Sequence, residues 1–254
     1  MGFKKKKVFI VFIYFSFSIL YSQVTRVTYR FDIYDSKEKN KTTVIAKQKS
    51  VLETEMFKVM NEGTFGGTFE LFFDKTKSIF RKIQKLNIEE NNANEFVSKI
   101  NSEIYYKNLL TSEKIVNDNV TDGNLNIIKP INEYDWKITT DTKTINGYKC
   151  YKATCEKQDY YNPIKKTANI FNITVWFTPE IPSNFGPQGL DGLPGLVLEG
   201  TNNGKKYIYA TKIEFDFKKE VKIEKPKCDK TVTEKEFGEI LAGSFKKIQD
   251  EMGN

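Results

Sequence analysis

The chain has 254 residues, with 40 Lys and Arg against 33 Asp and Glu, no histidine, and a formal net charge of +7 at pH 7. Without histidine there is no Ser-His-Asp or Cys-His catalysis and no zinc or haem site that needs imidazole; three cysteines are too few for a four-Cys zinc site. No GxxxxGKS/T run is present to cradle a phosphate, so neither a cofactor nor a metal is expected.

Lys4 to Lys7 form a basic start, and Val8 to Tyr21 follow with an unbroken run of apolar residues and Ser. That run is shorter than the roughly 20 residues that span a bilayer, and it fits the core of a secretory leader. Small Ser22 places cleavage before Gln23, giving a signal peptide over 1–22 and a single β-rich domain over 23–254; an uncleaved N-terminal anchor is the alternative. Setting aside the leader's four lysines leaves 36 basic against 33 acidic residues, or +3. No basic stripe is present, so no nucleic-acid partner is expected. No second long apolar run follows, so no stable membrane span is expected after cleavage.

Val24 to Tyr34 opens the domain. Val27, Tyr29, Phe31 and Ile33 alternate there with polar residues, as in a half-buried strand. Asp35 to Thr42 is turn-like, and the spacing of Val51, Leu52, Met56, Val59 and Met60 predicts a helix within 43–60. Thr68 to Phe73 and Ser78 to Leu86 read as a hairpin around Asp74-Lys75-Thr76-Lys77. A polar stretch over 89–102 reads as briefly helical. Ile104 to Tyr106, Lys114 to Val116 and Leu125 to Ile128 read as short strands. Asp118, Asp122 and Asn124 miss the spacing of a calcium loop and its closing Glu, so they read as a surface turn. Trp136 to Ile138 begins another strand, Asn146-Gly147 turns the chain, and Tyr148 to Lys157 returns. Ile170 to Thr178 and Tyr207 to Phe217 add two more. Thr233 to Met252 reads as a helix with a Thr233/Glu236 capping box and Phe237, Ile240, Leu241, Phe245, Ile248 and Met252 on one face. The whole predicts a mainly β fold: a curved antiparallel sheet, half-barrel-like, with a packed C-terminal helix.

Asn184 to Gly200 (NFGPQGLDGLPGLVLEG) is the only stretch dense in both Gly and Pro. Gly186, Gly189, Gly192 and Gly195 recur every third residue, but three triplets are too few for a collagen helix. In Leu193-Pro194-Gly195-Leu196, Pro presets φ and Gly accepts φ > 0, the pattern of a type II turn. Asp191 reads as a turn-former. Leu190, Leu193, Leu196 and Leu198 fold the loop back onto the body, either as a packed structural loop or as a rigid lip over a groove.

Gly192-Leu193-Pro194-Gly195-Leu196-Val197 resembles the motif of the GLPGLI family of exported Bacteroidetes proteins, with Val197 where that family has Ile. Trp176 to Pro182, Gly186-Pro187, and Trp136 followed by Ile145 to Ala153 (INGYKCYKA) also look like the family. The resemblance is specific from about Trp136 to Phe217 and weaker from Val24 to Tyr105. It implies a place, the periplasm or outer-membrane periphery of a Gram-negative bacterium, more than an activity.

Three functions fit these residues. The first is a non-enzymatic envelope binding protein for an apolar, lipid or peptide ligand, with Trp176, Glu180, Pro187, Gly192, Leu193, Pro194 and Gly195 as binding residues. The second is a periplasmic protein–protein adaptor using a strand edge or the Gly/Pro loop. The third is a hydrolase without histidine, using Glu180. Cys150 and Cys155, roughly 17 Å apart along a strand at ~3.3 Å per residue, are too distant to bridge each other. Either is a candidate partner for Cys228.

Overall fold

The computed structural model describes residues 23–33, 67–83, 102–119, 123–158, 170–202, 204 and 206–252. The expected leader over 1–22, the turn over 35–42, the helix over 43–60 and, but for Ser102, the brief helix over 89–102 lie outside them, as do Asp122 and the side chains of Phe245, Ile248 and Met252.

Among the described residues twelve strands follow one another: β1 (Thr25–Ile33), β2 (Thr68–Phe73), β3 (Lys77–Lys82), β4 (Ile104–Asn108), β5 (Glu113–Asp118), β6 (Leu125–Ile128), β7 (Lys137–Ile145), β8 (Tyr148–Gln158), β9 (Ile170–Thr178), β10 (Leu196–Thr201), β11 (Lys206–Glu214) and β12 (Lys230–Thr233). One helix, α1 (Glu234–Met252), ends the described chain. The strands form a single sheet in the order β12-β6-β5-β4-β3-β2-β1-β11-β10-β9-β8-β7. Every neighbouring pair is antiparallel except β12 beside β6, where Lys230 to Thr233 run parallel to Leu125 to Ile128. The sheet is therefore mixed, and its parallel edge strand was not anticipated from the four residues KTVT.

Charge pairing shows how strongly the sheet curls. Eight strand steps separate β5 from β8, roughly 38 Å across a flat sheet at ~4.8 Å per step. Yet the Glu133 carboxylate meets both Lys114 on β5, at 2.6 Å, and Lys157 on β8. The strands must wrap around for two lysines to reach one carboxylate. The expected half-barrel is present, with β7 and β12 as its unclosed edges.

Strand alternation decides what faces the concave side. Val27 and Tyr29 of β1, Leu71 of β2, Phe80 of β3, Val175 and Phe177 of β9 and Ile208 of β11 fill it, all buried. The Tyr29 hydroxyl donates to the Val197 carbonyl at 2.6 Å, which satisfies its one polar atom there. Tyr105 and Tyr106 divide as their parity requires. Tyr105 packs inward on Phe80, while Tyr106 joins Phe72 and Ile79 on the convex side. That side is covered by a strap, residues 215–229, whose Phe217, Val221 and Ile223 lie on these residues. Asn117, Asn124 and Asn126 hold the strap's far end through the carbonyls of Pro226 and Lys227.

The helix is capped as read. The Thr233 N–H donates to Glu236 Oε2 at 2.7 Å, and the Glu236 N–H donates to Thr233 Oγ1 at 3.3 Å. Phe237 and Ile240 pack on Val116, Leu125, Ile127 and Val232, so the described side chains of the helix cover the β5-β6-β12 end. Trp176 and Phe177, on β9, lie at the other end of the sheet order.

The disulfide expectation is not met, because all three cysteines are free. Cys150 and Cys155 are buried in β8, next to one edge of the sheet, whereas Cys228 precedes β12 at the opposite edge, with its Sγ 3.6 Å from Thr231 Oγ1.

Candidate functional site

The Gly/Pro stretch closes one end of the concave face, where β3 begins, β4 ends and β5 begins. Two of its glycines are required by close approach. A Cβ on Gly186 would stand 2.0 Å from the Leu190 carbonyl oxygen, and one on Gly195 would stand 2.2 Å from that of Thr178. Phe185, Leu190 and Leu193 are buried, with Phe185 against Phe73 at 5.8 Å between ring centres. The segment continues into β10 through the Leu196 N–H on the Ile181 carbonyl and the Val197 N–H on the Phe185 carbonyl. The expected type II turn is absent. Gly195 donates to the Leu193 carbonyl at 2.9 Å, a tighter turn around Pro194, while the Leu196 N–H that would close a four-residue turn is committed to Ile181.

Charge holds this loop in place. Asp191 is not the surface turn-former expected of it: it is buried, and its Oδ1 accepts from Lys107 at 2.8 Å and Lys114 at 3.2 Å. Lys107 also donates to Asn184 Oδ1 at 3.2 Å, and Lys114 to the Gly189 carbonyl at 2.9 Å. Lys114 lies 4.7 Å from the centre of the Tyr134 ring, a cation–π contact. Glu133, Tyr134 and Trp136 belong to the connection from β6 to β7. Trp136 Nε1 donates to the Asp191 carbonyl at 2.8 Å and its ring stacks obliquely on Tyr134 at 5.0 Å. Two strand lysines, one loop aspartate and one linker glutamate thus join three separate parts of the chain.

Burial would raise the Glu133 carboxyl, but Lys114 and Lys157 outweigh it and hold the group below the ordinary carboxylate range. Burial lowers the Lys107 ammonium, with Asp191 acting against that shift. Burial also pushes the Cys150 thiol up to about 11, which leaves it protonated and unreactive at neutral pH.

The residues expected to bind a ligand do not converge. Leu193 and Gly195 are buried in the loop's packing, and Pro187 is buried in a 3-10 turn, Pro187–Gly189. Gly192 and Pro194 are exposed, with Gly192 beside Trp136. Trp176 is on the opposite face of the sheet from Phe177, under Lys143, whose Nζ is 4.5 Å from its ring centre and 2.6 Å from Glu199. Glu180 is exposed, and its Oε1 accepts the Lys149 N–H at 2.9 Å. A cavity of about 10 Å³, lined by Ser78, Lys107, Lys114 and Asp191 among others, has room for one water and no more. Among the described residues no three His, Cys, Asp or Glu side chains gather to hold a metal.

Sequence reading missed Lys107, Lys114, Glu133, Lys157 and Asn184. A signal for the first two was present. Lys107 shares the inward parity of Tyr105 and pairs in register with Lys114, so two lysines point to the core from adjacent strands. Nothing local marks Glu133, which comes from an irregular linker.

Residues 136–199 match a family described as Porph_ging, protein of unknown function. The stretch runs from Trp136 through the loop to Glu199, and the GLPGLV run falls inside it. Among curated proteins, none matches the chain. Two solved structures of PNGF-II are similar in fold. The one in space group P21 has a TM-score of 0.51 at 15% identity, covering 86% of this chain and 33% of that one. The one in space group C2 has a TM-score of 0.47 at 16% identity, covering 76% and 28%. The chain thus spans a third or less of the PNGF-II chains it matches, and at this identity the likeness is one of fold alone.

Proposed function

We propose that the chain is a non-enzymatic binding module of the bacterial envelope that engages a polypeptide partner through the exposed tip of its Gly/Pro loop, at Gly192 and Pro194, with half-buried Trp136 of the β6–β7 connection beside it. The observation that carries this reading is the buried charge cluster. Lys107 and Lys114 fix the Asp191 carboxylate, and Trp136 fixes its carbonyl, so the tip is presented with little left to order on binding. A carrier of an apolar molecule needs a cavity of about 300 Å³ or more. The described concave face is filled instead by Tyr29, Phe80 and Phe177. The Glu180 carboxylate accepts the Lys149 backbone N–H, a structural use of that group.

The test is site-specific photo-crosslinking in the envelope of a producing cell, with a photoreactive residue at Pro194 or, as control, at exposed Glu156 near the far end of β8. A discrete protein adduct from position 194 alone is expected. No adduct, together with a small-molecule mass that leaves the purified protein on denaturation, overturns the reading in favour of a carrier.

A further inference from the structure

The loop end of the half-barrel is also where exposed apolar side chains collect. Six large apolar residues stand out from the described surface: Leu109 (36% exposed), Leu110 (76%), Ile128 (51%), Phe215 (53%), Ile138 (53%) and Ile170 (62%). The register places the first four at one rim. Leu109 and Leu110 form the turn between β4 and β5, and the Leu109 N–H donates to the Thr76 carbonyl of the neighbouring β2–β3 turn. Ile128 ends β6, one residue before the Lys129 N–H meets the Lys114 carbonyl. Phe215 follows β11, and the next turn is closed by the Phe217 N–H on the Val24 carbonyl.

That last bond carries the argument further. β1 runs antiparallel to β11 from Arg26 opposite Glu214, and antiparallel to β2 from Thr25 opposite Phe73. Residues 23 and 24 therefore lie on the same rim, between the β2–β3 turn and Phe215. In sequence Ser22 alone separates them from the apolar run from Val8 to Tyr21. Before the expected cleavage, an apolar run seated in a bilayer is joined to this rim through one residue, Ser22. Leu110 and Phe215 are four strand steps apart, roughly 19 Å at ~4.8 Å per step. They flank the point where the leader joins the domain.

We propose that this rim, with Leu109, Leu110, Ile128 and Phe215, is apposed to a lipid bilayer, its apolar tips entering the headgroup region while the leader is in the membrane. Apolar side chains on rigid turns enter that region through the area they remove from water. The proposal goes beyond the partner reading of Pro194 and does not depend on it.

The experiment uses the full chain reconstituted into phosphatidylethanolamine/phosphatidylglycerol vesicles doped with a photoactivatable phosphatidylcholine, followed by peptide mass spectrometry. Lipid adducts are expected at 109–112 and 215, at least tenfold above those at Ile138 and Ile170, and Leu110→Asp should lose most of the labelling of its own turn and reduce that at 215. Adducts confined to 1–22, or equal at both ends of the barrel, overturn the proposal. A rim-to-rim crosslink between two copies, lost in Leu110→Asp, also overturns it, because the rim would then be an interface between copies. Failure of the Pro194 crosslink leaves this readout unchanged, so the two ideas fail separately.

Discussion

Two irregular segments lie on opposite faces of the same sheet and are held there by opposite chemistry. The Gly/Pro loop on the concave face is tied by ions, with Asp191 between Lys107 and Lys114 and Glu133 between Lys114 and Lys157. The strap over the convex face is tied mainly by neutral groups, its one ion pair among the described residues, Lys225 with Glu113 at 3.0 Å, being exposed to solvent. Asn117 Nδ2 donates to Asn126 Oδ1 at 2.9 Å, and Asn126 Nδ2 donates to the Pro226 carbonyl at 3.0 Å. Aromatic packing of Phe72 on Phe217 completes that hold. Buried charges must be matched or they cost several kcal/mol each, whereas an amide network is insensitive to proton concentration across the physiological range. The loop is thus the more specifically placed of the two, and the more vulnerable to acid.

The largest expected effect breaks the ionic side. Lys114→Met strands both Glu133 and Asp191 with half their partners, and breaking a buried pair costs about 3–5 kcal/mol. Urea unfolding at pH 7 should show that loss, and a loss within 1 kcal/mol would mean that the loop is seated by its leucines alone. Asn126→Ala breaks the neutral side. It removes a fully buried amide bonded to Pro226, and about 1–3 kcal/mol should go. The strap should then become protease-sensitive while the loop stays protected.

The comparison sharpens with pH. The Glu133 carboxyl is held below its ordinary value, so the folded state binds fewer protons than the unfolded state near that value. Its contribution is fully present above the unfolded pKa of about 4.3 and is lost as pH falls through the lower folded value. Glu133→Gln should flatten the loss of stability below about pH 4.3 seen in urea titrations, whereas Asn126→Ala should leave that slope intact. The smallest effect belongs to Glu180. It is exposed, so Glu180→Gln should change stability by less than about 0.5 kcal/mol and leave crosslinking at Pro194 untouched.

The strands were legible because their alternation is local. Ile170–Thr178 and Leu125–Ile128 follow from apolar spacing within the segment itself. The Asn146-Gly147 turn follows from the two positive φ values, 51° and 86°, that such a pair tolerates. The capping box of α1 was readable for the same reason. The candidate site was readable only in part. The loop announced itself by composition, and Gly186 and Gly195 are glycine because backbone carbonyls crowd them, yet Asp191 looked like an ordinary turn residue. Its role depends on Lys107 and Lys114, which are 84 and 77 positions away.

By itself the sequence determined the parity of most strands, the Asn146-Gly147 turn and the helix cap, since each is a property of neighbouring residues, and its composition removed imidazole chemistry. Only the tertiary structure decided that β12 pairs in parallel with β6, that the cysteines stay apart, and that the sheet curls until β5 and β8 share Glu133. Those outcomes rest on contacts between residues distant in the chain, whose energies no local pattern contains.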